Sequence, residues 1–325
     1  VSETPAPLTG PAPSRRTVRG IVAAVLSPDP YRGPVAPVWA QVTMVLVASS
    51  IFGFQFVTFK EAFESVGPTT LLALRALFAL PVLVVLMRWV RIPILAPRAS
   101  VARMLLPTTL LVASHVCFMF GVHRLSAGLT ATLVSMTPIV SVALGLLFGL
   151  ERVGALALTG AAVGTVGVAI ATGALHGDLD GAGLALMAGS NIFYSLSFIT
   201  LKRMSVSLSA AFYLLLMTVV SIPIFVPLAF VLDGFEITFT WGLIGSVAYI
   251  VVLGQVVAYI AALGLLRFAG VFQATLVTPL IPVFAILFAV LFLGEPLLAR
   301  ELAGGALIIL GVITAIVPAQ RLRRR

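Results

Sequence analysis

Charge is scarce in this sequence. Of its 325 residues only 10% are Asp, Glu, Lys or Arg, and 60% are hydrophobic. Soluble domains carry roughly a quarter charged residues and about half apolar ones. That shortage excludes a water-soluble globule and makes lipid the solvent of the fold. Cysteine is nearly absent. Cys117 stands alone in an apolar stretch, so no internal disulfide can form, and a small buried hydrophobe is its natural reading. The three histidines, His115, His123 and His176, are scattered without metal-ligand spacing, which argues against a metal site or an intramembrane metalloenzyme. No Gly-rich loop ends in the Lys that would cradle a nucleotide phosphate, so nothing points to ATP as a driving force or to any cofactor.

What the chain does have is long apolar runs. Ten segments, near 38–60, 68–90, 101–123, 127–149, 153–174, 181–201, 208–232, 240–265, 269–293 and 299–318, are each long enough to cross a bilayer. Charge, Gly or Pro marks each break between them. The expected fold class is therefore an all-α integral membrane protein of ten transmembrane helices. The Pro-, Ala-, Ser- and Arg-rich residues 1–36 are expected to form a disordered tail, and 319–325 a short basic one. The net charge of +9 could suggest nucleic acid, but the basic residues lie mainly in flanks and short loops. With the N-terminus inside, sixteen of the 20 basic residues fall on the cytoplasmic side, and only Lys60, Arg124 and Arg300 fall outside. This bias predicts cytoplasmic termini in a plasma (inner) membrane and no nucleic-acid partner.

The two halves of the chain resemble each other. Phe56-Val57-Thr58-Phe59-Lys60 returns as Phe198-Ile199-Thr200-Leu201-Lys202 at an offset of 142, which also carries Pro81 onto Pro223. Ala131-Thr132-Leu133-Val134 returns as Ala274-Thr275-Leu276-Val277, and Pro138, Glu151, Gly160 and Gly167 as Pro282, Glu295, Gly304 and Gly311. Matching Lys, Pro, Glu and Gly in one order indicates a duplication spanning 38–172 and 180–316. Each half has five spans, an odd number, so the halves sit upside down relative to each other. Inverted repeats recur in secondary transporters, with the substrate held near the midplane between them.

These residues also carry a family resemblance. The start of each half, the Leu71-Leu72-Ala73-Leu74-Arg75 stretch, and the blocks from Pro138 to Gly149-Leu150-Glu151 and from Pro282 to Leu293-Gly294-Glu295 resemble the EamA-like branch of the drug/metabolite transporter (DMT) superfamily. The resemblance covers about 38–318. It implies ten helices around a central cavity lined mainly by helices 1, 3, 4, 6, 8 and 9. It also implies transport of amino acids, sugars, nucleotide-linked metabolites or drugs, many bacterial members being amino-acid exporters. The chain departs from the family at Gly149-Leu150-Glu151, where the second half has the more family-like Leu293-Gly294-Glu295.

The candidate cavity residues come from polar or small stripes on apolar helices. Ser49, Gly53, Phe56 and Lys60 share one face of helix 1, and the repeat maps them onto Asn191, Ser195, Phe198 and Lys202 of helix 6. Such stripes must face protein or water, and the expectation is that they face each other across the cavity, with small-residue helix packing as the alternative. His115, Tyr249, Gln255 and Tyr259 are the strong remaining polar candidates, with an interhelical hydrogen bond as the alternative for each, and Gln273 follows; Met136 and Tyr194 add aromatic and sulfur surface, with core packing as the alternative. Arg75, seven residues into helix 2, reads as structural, paired with Glu61 or Glu64 or snorkelling outward. Pro138 and Pro282 should kink helices 4 and 9 as paired hinges. Glu151 and Glu295 read as helix caps. Gly160, Gly164 and Gly167 give helix 5 a face for close packing or a homodimer contact. No carboxylate sits in a span centre, so the coupling ion stays open. An enzyme would need clustered catalytic groups, and a scaffold leaves the repeated polar stripes without a purpose. A non-enzymatic carrier of small molecules in a lipid bilayer is the expected function.

Overall fold

The computed structural model describes residues 38–94, 98–125, 127–148, 154–173, 180–203, 210–293 and 297–323. The N-terminal tail, Glu151 and Glu295 lie outside the described residues, as do the side chains of Phe56 and Lys60. The described chain is mostly helical, with no β-strand among its residues. The helices are α1 (Val38–Phe63), α2 (Pro68–Val90), α3 (Arg98–Arg124), α4 (Ala127–Ser135), α5 (Thr137–Leu147), α6 (Ala155–Thr172), α7 (Gly181–Arg203), α8 (Ala210–Leu232) and α9 (Trp241–Tyr249). A π-helical segment, Ile250–Ala258, joins α9 to α10 (Tyr259–Phe268); then come α11 (Val271–Thr275), α12 (Val277–Leu293) and α13 (Ala299–Arg323). Among the described residues seven helices are long and apolar enough to cross a membrane, and two shorter apolar stretches accompany them, Thr132–Leu147 and Ala155–Ala171.

Local chemistry sets the helix ends. Gly67 in extended conformation and Pro68 at the first helical position start α2. Arg91, in the left-handed region at φ 63°, ends it, and its N–H donates to the Arg88 and Met87 carbonyls. Gly173 (φ 65°) ends α6 in the same way. Thr240 caps α9 by accepting the Leu243 N–H at 3.1 Å.

Three segments expected as continuous helices are interrupted. Span four breaks at Met136, directly before Thr137-Pro138, where proline's missing N–H and its ring disfavour continuation. Span nine breaks at Leu276, before Val277-Thr278-Pro279, while Pro282 lies inside unbroken α12. Span eight changes to π winding around Gln255, a feature that often marks functional positions. At the C-terminus α13 continues to Arg323, through the segment expected as a tail.

The helices pair across the two halves. α6 packs on α13, α3 on α7, α2 on α8, and α1 on α12. Asp233, just after α8, accepts the N–H of Thr70 in the first turn of α2 at 2.7 Å, so these repeat-equivalent helices run antiparallel. The last helices of the halves do likewise. A Cβ built on Gly160 would stand 2.6 Å from the Gly311 carbonyl oxygen, and one on Gly167 would stand 2.7 Å from that of Gly304. The two halves are therefore inverted. The glycine face of α6 is engaged by α13 of the same chain, and this close approach excludes any side chain larger than hydrogen there.

At one end of the bundle the loop before α2 is tied to the loop before α9. Thr238 N–H donates to the Ser65 carbonyl at 3.0 Å, the Ser65 and Thr240 hydroxyls lie 3.1 Å apart, and Val66 pairs with Ile237. A Cβ on Gly67 would collide with the Asp233 carboxyl carbon at 2.3 Å, so glycine there lets the carboxylate reach the α2 N-terminus.

Candidate functional site

Broken helices inside a membrane leave backbone carbonyls that need donors. Two repeat-equivalent side chains supply them. Asn191 of α7 donates from Nδ2 to the Leu133 carbonyl at 2.7 Å, and its Oδ1 accepts from the Thr137 hydroxyl at 2.9 Å. Ser49 of α1, its counterpart at the 142-residue offset, donates to the Val277 carbonyl at 2.9 Å. Thr137 and Ser135 also donate to the Val134 and Thr132 carbonyls beside the first break. Each half thus grips the broken fourth helix of the other with the same position of its first helix.

This arrangement relocates the two stripes. They were expected to face each other across a cavity. Instead, the small face of α1 lies on α12, where a Cβ on Gly53 would come within 2.5 Å of the Phe284 Cβ. The polar face of α7 lies on α4 and α5, where the Ser195 and Ser141 hydroxyls are 2.8 Å apart. The physical reason is the break itself: exposed carbonyls draw the nearest donors. Phe198 is fully buried, its ring tilted 35° to that of Tyr194 with centroids 4.6 Å apart. Lys202 is half-buried near the end of α7, and Met136 is exposed at the break. Of the two prolines, Pro138 is buried beside the first break and Pro282 lies away from the second.

The other polar cluster crosses the halves at α2, α3 and the π segment. Arg75 donates from Nε to Gln255 Oε1 at 2.7 Å, and its Nη2 lies 3.4 Å from His115 Nε2. His115 Nδ1 lies 2.8 Å from the Leu111 carbonyl, which can only accept. That contact assigns the proton to Nδ1 in the neutral ring and leaves Nε2 as an acceptor for the Tyr259 hydroxyl at 2.7 Å. Gln255 is 2% exposed and Tyr259 7% exposed. The Tyr259 ring meets Phe52 edge-on at 5.6 Å, and Gly254 leaves room for Gln55, whose Oε1 would be 3.0 Å from an added Cβ.

The structure thus brings His115, Gln255 and Tyr259 together and adds Arg75, which sequence reasoning set aside. Arg75 pairs with neither glutamate: Glu61 and Glu64 are exposed, and Glu61 lies against Gly242. Its Nε is tied to Gln255 inside the bundle, so snorkelling does not describe it. The signal was present as the one basic residue within a span. Tyr249 donates to the Ile51 carbonyl at 3.1 Å instead, anchoring α9 to α1. Ser114 and Ser190, also passed over, bond each other between α3 and α7.

A model of the EamA-like transporter family matches residues 39–173 and again 181–317. A solved structure, described only as a crystal structure of protein, superposes with a TM-score of 0.70 at 17% identity, covering 88% of this chain and 99% of its own. Among solved structures 28 chains match; among curated proteins none does.

Proposed function

Because the chain belongs to the EamA-like transporter family and is a multi-pass membrane transporter of the DMT type, we propose that it is a secondary exporter of small metabolites such as amino acids, working by alternating access between its inverted halves. The observation that carries this reading is the reciprocal grip of Ser49 on Val277 and Asn191 on Leu133. Two halves joined by equivalent contacts in opposite orientation have two packings of similar energy, one opening to each side. The positive-inside bias supports the reading that both termini are cytoplasmic in an inner membrane, which puts the Ser65–Thr240 loop contact at the outer face. On this reading the ten crossings are α1, α2, α3, α4 with α5, α6, α7, α8, α9 through α10, α11 with α12, and α13.

The test is counterflow in proteoliposomes over amino acids, sugars, nucleosides and amines. The carrier reading expects saturable uptake of a labelled solute, accelerated by the same unlabelled solute inside. Uptake that rises without saturation indicates a channel, and its absence for every solute removes the transport reading.

A further inference from the structure

Arg75 is a cation inside the bundle with no carboxylate partner among the described residues. The guanidinium stays charged at any physiological pH, and α2 carries it seven residues, about 10 Å, below the helix start. Among the described residues its hydrogen-bonded neighbours are Gln255, His115 and Tyr259, none of them an anion. A half-buried charge inside a membrane bundle, held by no anion, is costly, and membrane proteins keep such charges for ligands or ion paths.

The fold itself does not require the charge. The offset of 142 that carries Pro81 onto Pro223 carries Arg75 onto Met217 in α8. Met217 is 2% exposed and packs in the apolar core. The same scaffold position in the inverted half is thus satisfied by a thioether. His115, at the offset of 143 that relates Arg124 to Arg267, maps onto Ala258, and Tyr259 maps back onto Val116. The polar cluster is an asymmetric addition to a symmetric frame, drawn from both halves.

We infer that Arg75, aligned by Gln255 and flanked by His115 and Tyr259, binds the carboxylate of the transported solute, so that the substrates are organic acids or amino acids bearing a free carboxylate. Gln255 Oε1 engages Nε at 2.7 Å and leaves the two terminal guanidinium nitrogens as the donor fork that matches a carboxylate. The contact a ligand oxygen would replace is the longest of the set, the 3.4 Å approach of Nη2 to His115. The Gln255 carboxamide, its oxygen turned to Arg75, carries two N–H donors of the kind a carboxylate accepts. One permanent positive charge balances one carboxylate; a phosphate dianion would bring a second charge that no bonded neighbour of Arg75 offsets. This inference rests on the transport reading.

The experiment uses the full chain in proteoliposomes and in detergent, with paired probes: leucine and leucinamide, benzoate and benzamide, phenylacetate and phenylethylamine. Thermal stabilisation and counterflow are both measured. Wild type is expected to bind and exchange at least one carboxylate probe and not its partner. Arg75→Met, which installs the residue the other half already tolerates, should keep the folded state and lose about 100-fold in affinity for that probe. Arg75→Lys, charged but without the fork, should lose about 10-fold. Gln255→Glu supplies an internal counterion: thermal stability should rise while carboxylate binding is lost. A purely structural Arg75 gives the same stabilisation by Gln255→Glu with exchange unchanged. Exchange of neutral or amine probes alone, or carboxylate affinity unchanged in Arg75→Met, overturns the inference and leaves the transporter reading standing. Failure of every solute to show saturable exchange overturns both.

Discussion

Replacing Asn191 by leucine removes the donor that holds the break in span four. The side chain is buried and makes two hydrogen bonds, to the Leu133 carbonyl at 2.7 Å and from Thr137 at 2.9 Å. Side-chain bonds between helices in membranes average about 0.6 kcal/mol and reach about 1.7. Two bonds therefore bound the loss at roughly 1–3 kcal/mol. The remaining partners narrow it. Leu133 still accepts the Met136 N–H at 3.2 Å, and Thr137 still donates to Val134, so no group is orphaned. The expectation for Asn191→Leu is then about 1–2 kcal/mol. Ser49→Ala, which removes one bond at the equivalent place, should cost about 0.6 kcal/mol. Reversible unfolding of the purified protein in mixed micelles reads both values. A double-mutant cycle of Asn191→Ala with Thr137→Val should return a coupling of about 0.5–1.5 kcal/mol. A coupling of zero, or an Asn191→Leu protein as stable as wild type, would refute the idea that these side chains secure the broken helices.

Two further expectations use other parts of the fold. A Cβ on Gly311 would lie 2.5 Å from the Gly160 carbonyl oxygen and from Gly164 N, whereas one on Gly305 would meet nothing within 4 Å. Gly311→Ala should therefore destabilise by about 1–3 kcal/mol through forced separation of α6 and α13, while Gly305→Ala should be neutral or stabilising by up to about 1 kcal/mol; thermal unfolding compares the two. Before α7, the Arg124 hydrogen bond at 3.1 Å, aided by the Ala182 N–H, holds the Asp180 carboxyl below its ordinary range. A carboxylate with a depressed value stabilises the fold above the unfolded value near 3.9 and ceases to as pH falls through the folded one. Asp180→Asn should thus lower the melting temperature slightly at neutral pH, with the difference from wild type vanishing on acidification below about pH 4.

The membrane class and the duplication were legible in the sequence because both are written in composition and in ordered Lys, Pro, Glu and Gly matches. So was the inversion, which follows from an odd number of spans per half and reappears in the antiparallel contact of Thr70 with Asp233. The interruptions were less legible. Proline at 138 and 282 signalled bending, but hydropathy is blind to where a helix stops, and the second break falls at Leu276 rather than at Pro282. The π segment left no signal of its winding in the sequence pattern. At the site, the helix-face argument picked out Asn191 and Ser49 but not the Leu133 and Val277 carbonyls they bond, because carbonyls freed by a break do not show in side-chain patterning. Arg75 was visible as a charge within a span. It was discounted because helix 2 was expected at the periphery, and only the folded chain brings its Nε to Gln255, 180 positions away.

The central claim, that solute passes by alternating access between the inverted halves, is tested most directly at the outer loop contact. The Ser65 and Thr240 hydroxyls lie 3.1 Å apart, close enough for a disulfide to replace them with small movement. In a chain carrying Cys117→Ala, the pair Ser65→Cys and Thr240→Cys is oxidised after reconstitution, with the cross-link verified by mass. Alternating access predicts that counterflow stops in the oxidised protein and returns on reduction. Undiminished counterflow through a fully cross-linked protein would contradict it.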